Sequence, residues 1–381
     1  MFKKPFGEII KPEILNWIHQ TKEKTINDTF HLIPKTRKEL WLEGIETEEN
    51  QINENRLWNY PYIGNKWGGK YLRAPEIFFT ILEKGKDKLV KLGDIAKVKR
   101  GLVTGLDTYL FLSEDEIIQY KIEKKFVKKI LRSPRDTNKI LVKDADLNTF
   151  SIYTDISKSN LENTYLYKYL IECENQGALN RATAKQKEKW YIVDQEINIP
   201  CVSIPRAPYE RHIIYIIEED ILINDMVIII PYDSKIIIPT GLYLNSTLSS
   251  MFLELLSRSN LGLGTLKFEK VDALRFLLLT PENLSLISKV NIIEQFLSRP
   301  IKSIFEELGF QKCNQKNCKH PEHPYEYVKP EEVSFDKIMP DRRELDKIVF
   351  EALGLTEDEQ LEVYRAVLEL AKNRLLKARS R

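Results

Sequence analysis

The centre of the chain, residues 89–246, carries its apolar residues in short runs separated by Gly, Pro, Asp and Asn. Short runs that are rich in Ile and Val are typical of β-strands, whereas an amphipathic helix needs a periodic pattern over about ten residues or more. The runs that favour strands lie at residues 92–98, 108–112, 140–142, 213–217, 226–230 and 235–239. A β-rich domain is therefore predicted at the centre of the chain.

Helical patterns flank this region. Pro75 is suited to the first position of a short amphipathic helix, and Gly85 can end that helix. Ser246 and its neighbours offer N-caps for a second helix that runs toward the glycines at 262 and 264. The first 60 residues predict a helix, a strand near residues 29–34 and an acidic, Asn-rich linker.

The last forty residues predict a long helix. Thr356 and Glu359 have the spacing of a capping box. An apolar stripe follows at helical spacing, formed by Leu361, Tyr364, Leu368, Ala371 and Leu375. Two alternatives follow for this stripe: it packs on the chain's own core, or it docks onto a partner subunit.

Together these patterns predict an α+β fold, with a β-rich domain, flanking helices and a C-terminal helical segment. The predicted divisions are an N-terminal segment at 1–60, the main domain at 61–300, a polar loop at 301–340 and the helical segment at 341–381. No period between about 20 and 50 residues indicates a repeat protein.

Composition limits the functional classes. The 381 residues include 58 Lys and Arg against 56 Asp and Glu, so any affinity for nucleic acid must come from local clusters. No apolar run approaches the roughly 20 residues that span a bilayer, and no signal-type segment follows Met1. Four dispersed cysteines do not form a disulfide framework. A cytoplasmic protein without a membrane partner is expected.

Three segments are locally basic. Residues 83–100 hold seven Lys and Arg against three acidic residues, residues 121–132 hold six against one, and residues 181–189 hold four against one. Trp190 and Tyr191 follow the third segment and could stack on bases. Such clusters suit phosphate binding, although a single charged run is more often a solvated surface.

Two glycine-containing segments also carry cations. Residues 66–75 combine two aromatics, two glycines and three cations before a predicted helix, and residues 100–105 form a glycine-bounded turn after a predicted strand. A turn of this kind can approach a phosphate closely, but a purely structural turn explains both segments as well. Neither segment matches a Walker loop or the dinucleotide fingerprint.

Three motifs carry a resemblance to a known family. They are Lys-Trp-Gly-Gly-Lys-Tyr-Leu-Arg at 66–73, Leu-Gly-Asp-Ile-Ala at 92–96 with Lys-Arg-Gly-Leu-Val-Thr-Gly at 99–105, and Leu-Asn-Ser-Thr at 244–247 leading to Asn-Leu-Gly-Leu-Gly-Thr-Leu-Lys at 260–267. In this order they resemble the C-terminal target-recognition region of TaqI-like adenine-N6 DNA methyltransferases. That region is also similar to the repeats of type I restriction specificity subunits. The tail at 341–355 is similar to the ending of the same proteins.

The resemblance covers the chain from about residue 60 and implies sequence-specific recognition of double-stranded DNA. Taken with the basic clusters, it predicts DNA contacts from Lys66, Trp67, Lys70, Arg73, Lys99, Arg100, Thr104, Arg181, Lys185, Lys187, Lys189, Trp190, Tyr191, Arg258 and Lys267.

The sequence departs from the family in its catalytic parts. Family members carry an S-adenosylmethionine-binding glycine motif and a tetrapeptide with two consecutive prolines, which holds a flipped adenine. This sequence contains no Pro-Pro pair. We therefore expect no catalysis by this chain alone, no bound S-adenosylmethionine, and a separate methyltransferase subunit or domain as partner. The alternative is a catalytic methyltransferase or type IIG endonuclease whose active site is not recognisable, or a fragment of one.

A second candidate site combines thiols and imidazoles. Cys313, Cys318, His320 and His323 have the number and softness of ligands that suit a structural zinc ion, although an ordinary surface loop explains them equally well. Outside this cluster, we interpret Cys173 and Cys201 as small core residues. His212 is interpreted as a strand-edge residue, and not as a catalytic base.

Overall fold

The structure is a computed structural model that describes residues 12–26, 31–45, 54–62, 67–187, 189–196, 199–259, 264–287, 293–311, 325 and 327–379. In these ranges the strands are β1 Thr25–Ile26, β2 His31–Leu32, β3 Leu89–Lys91, β4 Ala96–Arg100, β5 Phe111–Ser113, β6 Val127–Leu131, β7 Leu141–Val142, β8 Thr149–Ile152, β9 Cys201–Pro205, β10 Tyr215–Ile217, β11 Leu222–Ile223, β12 Met226–Pro231 and β13 Leu277–Leu279.

The helices of the same ranges are α1 Pro12–Gln20, α2 Arg37–Gly44, α3 Glu76–Lys84, α4 Leu92–Ile95, α5 Asp107–Leu110, α6 Glu114–Tyr120, α7 Tyr165–Asn175, α8 Ala182–Lys185, α9 Ile237–Leu244, α10 Thr247–Leu256, α11 Lys270–Leu274, α12 Pro281–Ile287, α13 Ile293–Ser298, α14 Ile304–Glu307, α15 Pro340–Leu353 and α16 Glu357–Arg379. A π-helical turn, Gly68–Arg73, precedes α3. The mixture of sheets and separate helices confirms the predicted α+β class.

A five-stranded sheet, in the order β4-β12-β9-β10-β7, forms the centre of the larger core. β12 pairs antiparallel with β4 and β9, and β7 joins β10 in parallel. The buried helix α9 packs closely on this sheet at Gly241, where a Cβ atom would lie 2.3 Å from Ile216 Cγ1. The inner strands β9 and β12 are buried almost throughout and do not alternate, as expected where both faces of a sheet are covered. The edge strand β4 differs, because its lysines alternate with buried Ala96 and Val98.

A second sheet, in the order β11-β6-β8-β5, belongs to a smaller lobe with its own hydrophobic cluster. This cluster is drawn from residues between 102 and 193 together with Leu222. β11 is parallel to β6, whereas β8 is antiparallel to both β6 and β5. Most of the smaller lobe thus lies between β4 and β9, but β7 of the larger sheet interrupts that stretch, and β11 joins the lobe from between β10 and β12. The sequence pattern did not predict this division.

Two of the predicted strands begin as helix, and a third, predicted at residues 235–239, is helical throughout. Residues 92–95 and 107–110 form helical turns before β4 and β5, and residues 235–239 lie in a 3₁₀ turn that continues into α9. At the last of these the Asp233 side chain accepts a hydrogen bond from Lys235 N at 2.9 Å and so starts the turn. Pro239 lies in the first turn of α9, where a missing N–H costs little. A short apolar run shows no period that separates strand from helix.

The predicted flanking helices are present. α3 runs from Glu76 to Lys84, and Gly85 is its C-cap, as predicted. Its start differs by one residue from the prediction, because Pro75 is the N-cap and not the first helical residue. Ser246 caps α10 by accepting a hydrogen bond from Ser249 N at 3.2 Å. This helix ends at Leu256, six residues before the first of the two glycines.

The C-terminal helix α16 packs inside the protein. Its predicted capping box is observed, since Thr356 N donates to Glu359 Oε2 and Glu359 N donates to Thr356 Oγ1. Along the stripe, Leu361 is partly buried, while Tyr364, Leu368, Ala371 and Leu375 are each at most 1% exposed. The internal alternative for the stripe is therefore correct, and the prediction of a partner-docking stripe is wrong, because the stripe has no free face.

Among the described residues, no single helix is long and apolar enough to cross a membrane. The pair Ser234–Leu244 and Thr247–Leu256 reaches that length and composition only together, and it is bent by 78°. Cys173 and Cys201 are buried and unpaired, as expected for core residues.

Candidate nucleic-acid interface

A tight turn between β11 and β12 joins the two lobes. Asp225 lies in this turn with a positive φ of 40°, and its N–H donates to Leu102 O at 2.8 Å. Leu102 N donates in turn to Ile223 O at 2.8 Å. Gly101 is required here, because a Cβ atom would lie 2.6 Å from Ile223 O. The segment that follows β4 is therefore held against the turn.

Asp225 accepts hydrogen bonds from two arginines at this junction. Arg100 donates to Asp225 Oδ1 from Nε at 2.9 Å and from Nη2 at 2.7 Å, and Arg206 Nη1 donates to the same oxygen. Arg206 also forms a bidentate pair with Glu269, at 2.7 Å from Nη2 to Oε1 and 3.2 Å from Nε to Oε2. The hydrogen bonds that Arg206 donates to Glu269 raise the pKa of Arg206. The Arg206 fork is thus fixed between two carboxylates.

A backbone bridge brings two of the predicted cations close to this junction. Arg258 and Lys267 form a β-bridge, with N–H···O distances of 3.0 and 2.9 Å. Phe268 N donates to Arg206 O at 2.9 Å, which sets this bridge beside the Arg206 backbone. Lys267 Nζ lies 3.2 Å from Glu269 Oε1. Arg258 and Lys267 therefore adjoin the junction that holds Arg100.

The π-helical turn at 68–73 packs against the end of α10. Arg73 donates to the backbone carbonyls of Glu254, Leu255 and Ser257 at 3.0, 3.1 and 3.3 Å. Arg73 is therefore used to cap α10, and this explains its position better than a DNA contact does. Lys70 pairs with Glu43 at 2.9 Å, so its charge is also partly offset.

The loop at 101–105 leads from the junction to the third basic cluster. Gly105 has a φ of 64°, and a Cβ atom on it would lie 2.6 Å from Thr183 Cγ2 in α8. The Thr104 hydroxyl is buried, donates to Asp107 and accepts from Leu106 N at 2.9 Å, so it shapes the loop. Arg181, Lys185, Lys187 and Lys189 are exposed around α8.

The expected stacking rings are not exposed. Trp190 and Tyr191 are 3% and 2% exposed and belong to the core of the smaller lobe. Trp190 Nε1 donates to Glu174 Oε1 and Tyr191 OH donates to Ile156 O, both at 2.9 Å. The interpretation of these rings as a base-stacking surface is therefore wrong. Although they follow a run of lysines in sequence, both rings point inward and pack in the hydrophobic core of the smaller lobe.

The remaining predicted contacts fall in different places. Lys99 pairs with Glu196 at 2.7 Å, next to the Gln195 side chain that bonds both backbone groups of Ile223. Trp67 lies 6.3 Å from the Tyr62 ring, and Lys66 is outside the described residues. Of the second basic cluster, Lys129 is bonded to Leu147 O and lies over a ring, so part of that cluster serves the fold.

Sequence reasoning missed Arg206, Asp225 and Glu269, the residues that link the predicted cations. One signal was available: Asn224 and Asp225 between two apolar runs indicate a tight turn. The long-range pairing of Asp225 with Arg100 and Arg206 leaves no local pattern in the sequence.

The predicted zinc ligands Cys313, Cys318, His320 and His323 lie outside the described residues. Within the described part of the chain, no group of three or more His, Cys, Asp or Glu side chains could hold a metal ion. His212 is buried in the larger core, with Nε2 3.2 Å from Glu254 Oε1.

Comparison with known proteins identifies the class. The family model for the C-terminal domain of the type II methyltransferase M.Eco57I matches residues 64–302. The chain thus contains a domain related to restriction-modification DNA methyltransferases. Because the match spans more than half of the residues, the chain belongs to the M.Eco57I C-terminal domain family. A search of curated protein sequences gave no significant match.

Two solved structures are similar in fold. The type IIG restriction endonuclease BpuSI aligns with a TM-score of 0.51 and 11% identity, over 85% of this chain and 35% of its own. The type IIL restriction-modification enzyme MmeI, solved in complex with DNA, aligns with a TM-score of 0.46 and 12% identity, over 75% of this chain and 36% of its own. The chain therefore spans about a third of the length of these enzymes.

Proposed function

We propose that this chain recognises a DNA sequence as the target-recognition part of an adenine-N6, TaqI-like restriction-modification enzyme. The observation that carries the proposal is the cluster at the lobe junction. There Arg100 shares Asp225 with Arg206, Lys267 shares Glu269 with Arg206, and the backbone of Arg258 is paired with that of Lys267. Membership of the M.Eco57I C-terminal domain family agrees with this role.

The physical argument rests on how the cations are held. Arg100 and Lys267 keep side-chain exposures of 48% and 41%, so they can reach a ligand. Asp225 and Glu269 orient the guanidinium groups in advance, which lowers the entropy lost when a phosphate or a base edge binds. Arginine can bind guanine in the major groove or phosphate oxygens with two parallel hydrogen bonds. The exposed lysines of the third basic cluster add affinity that does not depend on sequence.

We place the chemistry of methyl transfer on a separate subunit or domain, because no Pro-Pro tetrapeptide is present to hold a flipped base. The second candidate is that this fold serves inside a catalytic enzyme of the type IIG class. The alignment with about a third of BpuSI supports that alternative. A cytoplasmic location remains a prediction in both cases.

The proposal is tested by fluorescence anisotropy with a random duplex and with a duplex enriched from a random pool by the wild-type chain. We expect binding whose logarithmic affinity falls linearly with the logarithm of salt between about 50 and 200 mM. Arg258→Gln should weaken binding to the enriched duplex by about tenfold or more, as expected for a base or phosphate contact.

The matched control is Arg365→Gln, an arginine on α16 whose described contact is a 3.5 Å pair with Glu362 in the same helix. This control should bind as the wild type does. An absence of binding by the wild-type chain at low salt would remove the proposed function.

A further inference from the structure

Arg374, near the end of α16, is a buried arginine whose guanidinium group joins three parts of the chain. It donates to both carboxylate oxygens of Glu254, from Nε at 2.8 Å and from Nη2 at 2.6 Å. Nη2 also donates to Tyr209 O at 2.8 Å, and Nη1 donates to Gly264 O. One side chain therefore connects α16 to α10 and to the backbones that bear Arg206 and Lys267.

The partner of Arg374 is held in its charged form. Burial alone would raise the pKa of Glu254, but the charge and hydrogen bonds of Arg374, with His212 Nε2 3.2 Å away, lower it to about 2. Glu254 is fully buried, and its backbone carbonyl accepts a hydrogen bond from Arg73 at 3.0 Å. The pair is thus fixed from several sides and provides a rigid anchor.

Gly264 is the point where this anchor meets the paired segment, residues 264–268. It has a φ of 71°, and a Cβ atom on it would lie 3.1 Å from both Ala378 Cβ and Leu375 Cδ2 of α16. Two residues further on, Leu266 N donates to Pro208 O at 2.9 Å, and the bridge to Arg258 begins at Lys267. The paired segment is therefore attached to the body of the protein through α16.

We propose that Arg374 is a positioning residue that fixes the position of the paired segment. The C-terminal helix α16 thereby supports the DNA-contacting surface from behind. The inference rests on the proposed function for its biological meaning. The matched family domain ends at residue 302, so α16 supplies this support from outside the matched region. Without the contacts to Gly264 O and Tyr209 O, the backbones that carry Lys267 and Arg206 are no longer held at fixed positions relative to each other.

The principal test is the double variant Glu254→Gln plus Arg374→Gln in the full chain, which removes both charges and leaves no buried charge unpaired. Hydrogen exchange should become about tenfold faster at the amides of Arg258, Leu266, Lys267 and Phe268, while amides of β9 and β12 keep their protection. Affinity for the enriched duplex should fall about tenfold, because a binding group displaced by its support binds poorly.

A second variant avoids the buried pair. Gly264→Ala places a methyl group against Leu375 and Ala378 and should produce the same local loss of protection. Its control is Gly354→Ala, which has the same kind of positive φ (76°) but whose Cβ would lie no closer than 3.6 Å to Lys88 Nζ. This control should leave exchange in the paired segment and DNA affinity unchanged. Gly264→Ala keeps the proposal testable if the double variant does not fold.

The exchange measurement does not depend on DNA, so it separates the two proposals. Wild-type protein that fails to bind DNA would remove the proposed function while the exchange result still tests the positioning role. Unchanged amides in the paired segment, or an equal loss of protection throughout the chain, would overturn the positioning role.

Discussion

Arg342 donates from Nε to Glu307 Oε2 at 2.7 Å, and both side chains are 1% exposed. Arg299 binds the same carboxylate with two hydrogen bonds at 2.8 Å, and Arg342 Nη1 also donates to Asn245 O. A buried carboxylate with two arginines thus fastens α15 to α14 and to the turn between α9 and α10. The tail at 341–355 that resembled the family's ending is therefore a structural clamp.

Removing one arginine from this clamp should destabilise the protein strongly. Arg342→Met is expected to cost about 3 kcal/mol of unfolding free energy, because it breaks a buried ion pair and leaves Asn245 O without its donor. Lys347→Met on the same helix, at an exposed pair 3.9 Å from Glu351, should change the free energy by less than about 0.5 kcal/mol. Denaturant titrations of the two variants measure the difference, and equal effects would contradict the role of the clamp.

Acid should unfold the protein through its buried carboxylates. Arg342 and Arg299 lower the pKa of Glu307 to about 2 against the opposing effect of burial, and Glu254 has a similar value. A carboxylate with a lowered folded-state pKa contributes stability above its ordinary value of about 4.5 and loses it as the pH falls toward 2. The free energy of unfolding should therefore decrease as the pH is lowered from about 4.5 to about 2. Glu307→Gln should flatten this dependence, and an unchanged slope would count against the assignment.

The third basic cluster should contribute to DNA affinity without regard to sequence. Changing Lys185, Lys187 and Lys189 together to Ala should weaken binding to every duplex. If each lysine neutralises one phosphate, the salt slope should become shallower by about 0.9 for every phosphate that is no longer neutralised. The control replaces the exposed Lys329, Lys337 and Lys347, which lie away from the cluster in sequence. Equal slopes in the two triple variants would rule out direct binding of phosphates by the cluster.

Zinc is expected to co-purify at about one equivalent with protein prepared without an affinity tag. Two thiolates and two imidazoles from Cys313, Cys318, His320 and His323 would complete a tetrahedral site and release protons on binding. Elemental analysis gives the zinc stoichiometry, and the double variant Cys313→Ser plus Cys318→Ser should contain no zinc. A metal-free chain with the same melting temperature in chelator would leave this segment as ordinary surface.

Calorimetry with S-adenosylmethionine should show no binding, and the purified chain should transfer no methyl group to DNA. The reason is the absence of the two motifs that hold adenine and the methyl donor in TaqI-like adenine-N6 DNA methyltransferases, namely the tetrapeptide with two prolines and the glycine motif. DNA injected into the same protein sample serves as the positive control. Binding of the cofactor in the micromolar range would show that a methyl-donor site is present and was not recognised.

The local elements were largely predictable. Capping residues indicated α10 and α16, and Ile- and Val-rich runs indicated β10 and β12. These signals are local, since a cap or an apolar period acts within a few residues of chain. The strand predicted at 108–112 was wrong in its first part and the strand predicted at 235–239 was wrong throughout, because these short apolar runs contain no period that separates strand from helix.

The candidate site was predictable only in its parts. Arg100, Arg258 and Lys267 were identified as cations, yet the residues that unite them are Arg206, Asp225 and Glu269. Trp190 and Tyr191 were assigned to the surface by their basic neighbours, and the smaller lobe placed them in its core. Charge in sequence does not tell which side of a segment faces solvent.

The sequence by itself determined the α+β class, the caps, the basic clusters and a resemblance to target-recognition regions, because each depends on residue type and short spacing. Only the tertiary structure decided that the two lobes meet at Asp225, that Arg73 caps α10, and that the apolar stripe of α16 is internal. These outcomes depend on contacts between residues far apart in sequence, as for Arg73 and Leu255, which are 182 positions apart. Such pairs form only after the core has brought the segments together, so their energies leave no trace in any local pattern.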